Sequence, residues 1–268
     1  MIYKLKTGCS PLRPILWQIG PIQVYSYGFF LALAFLMGTW LTARQAKEHG
    51  IDPDQVTDLA LVACIASLIG ARIGFVVLEL PYYRLHPMEI FRFGEGGLSF
   101  HGGLIAGVAV GIWFCLRRGI SAWQMVDLVA PAVALGTGIA RIGCLLNGCC
   151  HGYVTNLPIG MPVAFGDPSL RHPTQIYEGV LDLALFFFLY RRRNHDKFPG
   201  YLGFVYLILY SVLRSVVEIF RESRYLFGPI KIAQAFSFLL IIVAGLAIYL
   251  LDRGYQARKQ FEGQRSTP

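Results

Sequence analysis

The sequence predicts an all-α, polytopic membrane protein, a bundle of seven transmembrane helices with a small loop or cap on its outer face. Three observations lead there. Of the 268 residues, 55% are hydrophobic and only 15% charged, where soluble domains carry about 25% charged residues, and the mean hydropathy is +0.51. The apolar residues fall in blocks near the ~20 residues that a helix needs to cross a bilayer. Between the blocks nothing is long enough to make a soluble domain, so residues 1–268 read as one integral membrane domain.

The first block, Tyr25–Ala43, follows the segment MIYKLKTGCSPLRPILWQIG, whose two prolines interrupt any signal-peptide apolar core. Cys9 follows no apolar run and does not read as a lipidated cysteine. The second and third blocks are Val56–Val77 and Leu98–Leu116; the fourth, Val126–Leu146, ends among Gly and Cys. The fifth, Ile176–Tyr190, is the shortest, and Leu202–Phe220 and Ile232–Leu251 complete the seven. The longest connection, Asn147 to Gln175, is rich in Gly and Pro with few charges and supplies the outer cap.

An odd number of spans puts the termini on opposite faces. The face holding the C-terminal tail carries twelve Lys and Arg against nine on the other, including the block Arg191, Arg192, Arg193 and the tail residues Arg253, Arg258, Lys259 and Arg265. By the positive-inside rule the C-terminus is cytoplasmic and the N-terminus outside. These residues also account for the net charge of +8, which favours anionic lipid headgroups, not nucleic acid, as the partner.

Arg72, Arg141 and Arg214 fall inside spans, each in the outward half. A charge at the bilayer centre costs at least about 2.5 kcal/mol, so such residues are paired, interfacial or functional. With Glu178 and Glu218 near the outer ends of their helices, a polar pocket open to the outer leaflet follows. Arg214, Glu218 and Arg221 stand at i, i+4 and i+7 on one face of the sixth helix. An internal Arg–Glu lock explains the pair, but two cations for one anion leave a cation to invite an anionic ligand. In GLSFHGGLIAG, Gly103, Gly107 and Gly111 repeat every four residues and read as close helix packing. His101 at the head of that string is either an interfacial side chain or a proton acceptor near neutral pH.

Six cysteines are present, of which Cys64 and Cys115 sit inside apolar blocks as small core residues. Cys144, Cys149 and Cys150 group with His151 in GIARIGCLLNGCCHG. Soft metal ligands or a redox pair are both conceivable there. Adjacent Cys149 and Cys150 are expected to diverge, and no second CxxC or HxxxH completes a zinc set. A disulfide on the oxidising outer side is therefore preferred to a metal. RHPTQIYEG then enters the fifth helix with Pro173 just before it.

These strings resemble the prolipoprotein diacylglyceryl transferase family of bacterial inner-membrane enzymes. The resemblance runs over nearly the whole chain: Tyr27 and Gly28, GARIGFVV, GLSFHGGLIAG, Arg141–Gly152, RHPTQIYEG and RSVVEIFRES, in order. It implies seven helices with an outward N-terminus. The implied reaction is transfer of a diacylglyceryl group from phosphatidylglycerol to the lipobox cysteine thiol of a prolipoprotein, giving a thioether and glycerol phosphate, with no cofactor or metal. It further implies Arg141 and Arg214 as phosphate-stabilising residues, Glu218 holding Arg214, and His101 as base, with Glu178 and Glu218 also qualifying. Tyr27, Arg141, Asn147, Gly152, Gln175, Tyr177, Arg214 and Arg221 would form the headgroup site. The chemistry suits these types: a thiol of pKa about 8.5 needs a base or a cationic field, and the forked guanidinium suits a leaving phosphate.

The chain departs from the family's GRxGNFxNGExxG. It reads ARIGCLLNGCCHG, with Ala140 for Gly, Cys144 for Asn and Cys149 for Glu. The loop from Gly152 to Arg171 is also shorter than the resemblance leads one to expect. A related transferase with another acceptor is the nearest rival. A membrane thiol oxidoreductase using Cys144, Cys149 and Cys150 lacks a CxxC pair and any haem or flavin motif. A transporter lacks the internal repeats and midplane polar groups of that class.

Overall fold

A computed structural model describes residues 12–20, 22–92, 96–164, 166–194, 197–223, 225–227 and 230–265. Cys9 and Arg224, the latter one of the nine basic residues counted on the outer face, lie outside the described residues. Helices dominate: α1 (Ser26–Glu48), α2 (Pro53–Leu78), the short α3 (Leu80–Leu85) and a 3-10 turn (Pro87–Phe91), then α4 (Phe100–Arg117), α5 (Ala122–Asn147), α6 (Thr174–Arg191), α7 (Tyr201–Phe220) and α8 (Ile232–Arg265). Among the described residues two short antiparallel hairpins, β1 (Ile15–Ile19) with β2 (Ile22–Tyr25) and β3 (Tyr225–Phe227) with β4 (Ile230–Lys231), accompany the helices of an otherwise all-α chain. The first turns at Gly20, whose φ of 59° suits a residue without a Cβ.

Among the described residues six helices, α1, α2, α4, α5, α7 and α8, are long and apolar enough to cross a membrane. The seventh expected span, α6, is not one of them, because its 18 residues include Glu178, Asp182 and Arg191. The apolar surface is inverted relative to a soluble protein: Ile242 is 67% and Leu36 64% exposed, and such surface is stable only against hydrocarbon. α8 runs on past Leu251 because Gln, Ala, Arg, Lys and Glu follow with no breaker stronger than Gly254.

The chain divides into two compact units, Thr39–Met125 and Met1–Gly38 with Val126–Pro268. In the first of these, Pro53 starts α2 behind Asp52, which accepts the Asp54 N–H at 3.0 Å. Helices α2 and α4 meet along the expected glycine seam. A Cβ on Gly103 would lie 3.0 Å from the Ser67 carbonyl, and one on Gly74 2.9 Å from the Gly102 Cα. Arg72 does not read as a site residue here. Its guanidinium donates to the carbonyls of Glu89, Ile90, Gly96 and Gly97 at 2.5 to 3.0 Å beneath the Tyr83 ring. Buried, it holds the loop after α3.

In the other unit Ala134, Leu185, Leu189 and Leu202 form the core shared by α5, α6 and α7. Gly200 precedes α7 with φ 97° and offers no side-chain cap. Asp127 of α5 supplies it, accepting the N–H groups of Gly200 at 2.6 Å and Gly203 at 3.1 Å. This fixes α7 against α5, and so sets the height at which its arginines stand.

Candidate functional site

α5 ends in a Schellman turn. Gly148 takes the left-handed φ of 70°, its N–H reaches the Leu145 carbonyl at 3.2 Å, and the Cys149 N–H reaches back to Cys144 at 3.2 Å. That geometry lays Cys149 over Cys144, five residues earlier. Cys150 is also left-handed, with φ 66°, a conformation costing a side-chain-bearing residue about 1–2 kcal/mol. It turns the third thiol toward the first two. The expected divergence of Cys149 and Cys150 is thus corrected: the three sulfurs lie within 4.8 Å of one another, and all three are free thiols.

The entry to α6 pins this turn. Buried Gln175 donates to the Cys149 carbonyl at 2.8 Å and Thr174 to the Cys150 carbonyl at 2.7 Å. Thiol hydrogen bonds from Cys144 and Cys149, then the fields of Arg221 and Arg141, hold Cys150 well below the ordinary thiol range.

One turn into α6 stands Glu178, 6% exposed, on which three arginines converge. Its carboxylate meets Arg141 Nε of α5 at 2.5 Å, Arg214 Nη1 of α7 at 2.9 Å and Arg221 Nη1 at 3.4 Å. Arg214 is also paired with Glu218 at 2.5 Å, in the expected i, i+4 relation. Glu218 is buried and takes a hydrogen bond from Ser223. The three guanidinium groups gathered here are forked, permanently charged donors of the kind that hold an anion. α6 approaches α5 closely at Gly138, where a Cβ would lie 3.1 Å from the Leu183 side chain.

Around the hub the cap is tied down. Gly152 sits where a Cβ would fall 2.7 Å from the His172 Cβ and also collide with the Phe220 carbonyl. Arg171 pairs with Asp167 and Glu222, both at 2.9 Å. The Ser169 N–H and then Arg171 depress the Asp167 carboxyl to about 2. Tyr177 hydroxyl lies 3.2 Å from His172 Nδ1, and both rings pack on Phe220. Lys231 is buried, giving its ammonium to the carbonyls of Glu218 and Arg221 at 2.6 Å.

Of the residues expected from sequence, Arg141, Arg214, Glu218 and Arg221 therefore meet around Glu178, while Gln175 holds the Cys149 carbonyl and Gly152 packs against His172 and Phe220. Tyr27, at the start of α1, has its Cα 3.1 Å from a Cβ placed on Gly143, one turn before Asn147. Asn147 is the half-buried last residue of α5. His101 is exposed in the other unit, one residue into α4 and edge-on to Phe100. Sequence reasoning missed Asp182, buried one turn along α6 from Glu178, whose i, i+4 spacing was its signal, and it missed the convergence of the thiols.

A model of the prolipoprotein diacylglyceryl transferase family matches residues 14–250. The chain is similar to the phosphatidylglycerol–prolipoprotein diacylglyceryl transferases of Bacillus cereus strain Q1, Bacillus anthracis strain A0248 and Bacillus mycoides strain KBAB4. Each is 35% identical over 253 residues, covering 91% of this chain and 94% of the relative.

Proposed function

The chain belongs to the prolipoprotein diacylglyceryl transferase family, and from that premise we propose that the cluster around Glu178 is where it transfers diacylglyceryl from phosphatidylglycerol to a prolipoprotein. It is a transferase of lipoprotein maturation, with phosphatidylglycerol as donor and prolipoprotein as acceptor. The observation that carries the assignment of the site is the convergence of Arg141, Arg214 and Arg221 on one buried carboxylate. The cluster exchanges part of that internal pairing for the headgroup phosphate. As the glyceryl carbon–oxygen bond breaks, charge grows on the leaving phosphate, and fixed guanidinium donors stabilise it without reorganising.

In this reading Arg141 and Arg214 touch the phosphate, Glu218 and Glu178 orient them, and Arg221, Tyr27, Asn147, Gly152, Gln175 and Tyr177 shape the headgroup site. His101, Glu178 or Glu218 takes the thiol proton, and the product is a thioether with release of glycerol phosphate. The whole chain forms one integral membrane domain of the bacterial inner membrane with α6 as a seventh span. Burial and pairing of Glu178 support the span, since an acid matched by arginines of α5 and α7 no longer faces hydrocarbon alone. The N-terminus lies outside and the C-terminus in the cytoplasm.

The test is a transfer assay with purified protein in detergent, phosphatidylglycerol and a synthetic lipobox peptide. A peptide mass gain of one diacylglyceryl unit is expected, lost in Arg214→Gln. An Arg214→Gln protein that transfers at the wild-type rate overturns the assignment of the site.

A further inference from the structure

The thiol cluster at the end of α5 is not used by the reaction as described, yet it is built. The Schellman turn at Gly148 brings Cys149 onto Cys144, and the left-handed Cys150 adds a third sulfur. Strained backbone of this kind persists where surrounding structure over-determines it, and it clusters at functional sites. Here Gln175 and Thr174 are the over-determining groups, holding the Cys149 and Cys150 carbonyls from buried positions.

We propose that Cys144, Cys149 and Cys150 form a three-thiolate site for a thiophilic d10 cation of the zinc class, whose fourth position takes the acceptor thiol. The sulfurs lie within 4.8 Å, and tetrahedral zinc with Zn–S near 2.3 Å needs them about 3.8 Å apart, an approach of roughly 1 Å. Among the described residues no His or carboxylate atom joins the three sulfurs. Three protein ligands with an open position mark zinc sites that bind a reactant, whereas purely structural sites are closed by four. Cys144 is buried while Cys149 and Cys150 are partly exposed, so the set opens on one side. Two thiolates balance the cation, and the third negative charge falls beside Arg141, whose Nη1 is 4.0 Å from Cys144 Sγ.

This inference rests on the transferase reading and deepens it. Arg141 touches both the sulfur cluster and Glu178, so an acceptor sulfur held on the cation stands beside the donor phosphate. The acceptor thiol gives up its proton on ligation to the base of the transferase reading. Its sulfur lone pair attacks the glyceryl carbon, forming the carbon–sulfur bond, while the carbon–oxygen bond breaks and its electron pair leaves on the phosphate. Nothing is oxidised or reduced. The product thioether is a neutral, weaker ligand and departs. A free thiol of pKa about 8.5 is only about 3% ionised at pH 7, whereas a metal-bound thiol is deprotonated outright.

The test uses the full-length wild-type protein in detergent. Zinc content is measured directly, cobalt(II) is substituted as a spectroscopic probe, and lipobox peptide is added before and after chelation. Expected are one cation per chain and thiolate-to-cobalt charge-transfer absorption that shifts on adding peptide. Chelation is expected to lower transfer about 30-fold at pH 7, with the residual rate climbing toward pH 8.5, and zinc to restore it. Single Cys→Ser variants lose uptake, and reversible chelation of the wild type keeps the test valid if a variant misfolds. A chain that binds phosphatidylglycerol and takes up no zinc or cobalt overturns the site. Transfer indifferent to chelation overturns the role of the fourth position. Stoichiometric metal and a peptide-dependent spectrum without any transfer sustain the site and overturn the reaction on which its role rests.

Discussion

Replacing Glu178 by Gln keeps the shape of the hub and removes its charge. In the native chain one carboxylate, 6% exposed, meets Arg141 at 2.5 Å, Arg214 at 2.9 Å and Arg221 at 3.4 Å. After the substitution Arg214 keeps Glu218 at 2.5 Å, whereas Arg141 and Arg221 keep no other salt bridge among the described residues. Removing one partner of a buried ion pair costs about 3–5 kcal/mol, chiefly because the other charge is left uncompensated. For a chain of this size 1 kcal/mol moves the melting temperature by roughly 2–4 °C, so a fall of about 10 °C is expected. The assay is tryptophan fluorescence during heating in detergent at one fixed scan rate, since membrane-protein unfolding is read as a rate. Glu178→Asp, which keeps the charge, falls between the two proteins. A Glu178→Gln protein melting within about 2 °C of wild type while losing transfer refutes the organising role and makes Glu178 a proton acceptor instead.

Gly152→Ala places a Cβ 2.7 Å from that of His172 and costs about 1–3 kcal/mol by overpacking, read as a lower melting temperature; Gly245→Ala, inside α8 with nothing within 4 Å, does not lower it. Asp127→Ala strips α7 of the acceptor for Gly200 and Gly203 and lowers stability by about 1–2 kcal/mol, measured in the same way. Asp167 titrates at about 2 in the folded chain against 3.8 ordinarily. The unfolded chain therefore binds more protons between those values, and the group's contribution, complete above pH 3.8, is lost as pH falls toward 2. Unfolding midpoints across that window are expected to drop in wild type more than in Asp167→Asn. Gly148→Ala forces a Cβ onto a residue with φ 70°, costs about 1–2 kcal/mol, and lowers the reactivity difference among the three thiols toward an alkylating probe.

The helices were legible because their signal is additive: twenty apolar residues in a row outvote any local exception. α6 was read correctly as a helix but is not apolar enough to stand among the candidate spans, because it carries Glu178, Asp182 and Arg191. Arg72 and Arg214 are both cations within apolar runs, and in sequence only Arg214 has an acid at i+4. The fold completes the distinction by giving Arg72 a loop of backbone carbonyls and Arg214 a second carboxylate, Glu178. The short hairpins were missed because strands of two to five residues carry little weight beside a span.

The thiol cluster marks where pattern reading stops and local geometry takes over. Side chains of adjacent residues point apart in extended chain, and that rule set Cys149 against Cys150. Yet Asn147-Gly148 after an apolar helix is itself a C-cap signal, and a Schellman turn brings the residue after its glycine back onto the one four places before that glycine. Applied to Gly148, the rule joins Cys149 to Cys144 from sequence alone, which is the contact found. The φ of Cys150 follows no such rule. It is set by Thr174 and Gln175, a quarter-hundred residues onward, which grip the two carbonyls on either side of it. The same two side chains begin the helix that carries Glu178. The sulfur cluster and the arginine hub are therefore positioned by one junction, so a change that loosens Gln175 is bound to disturb both.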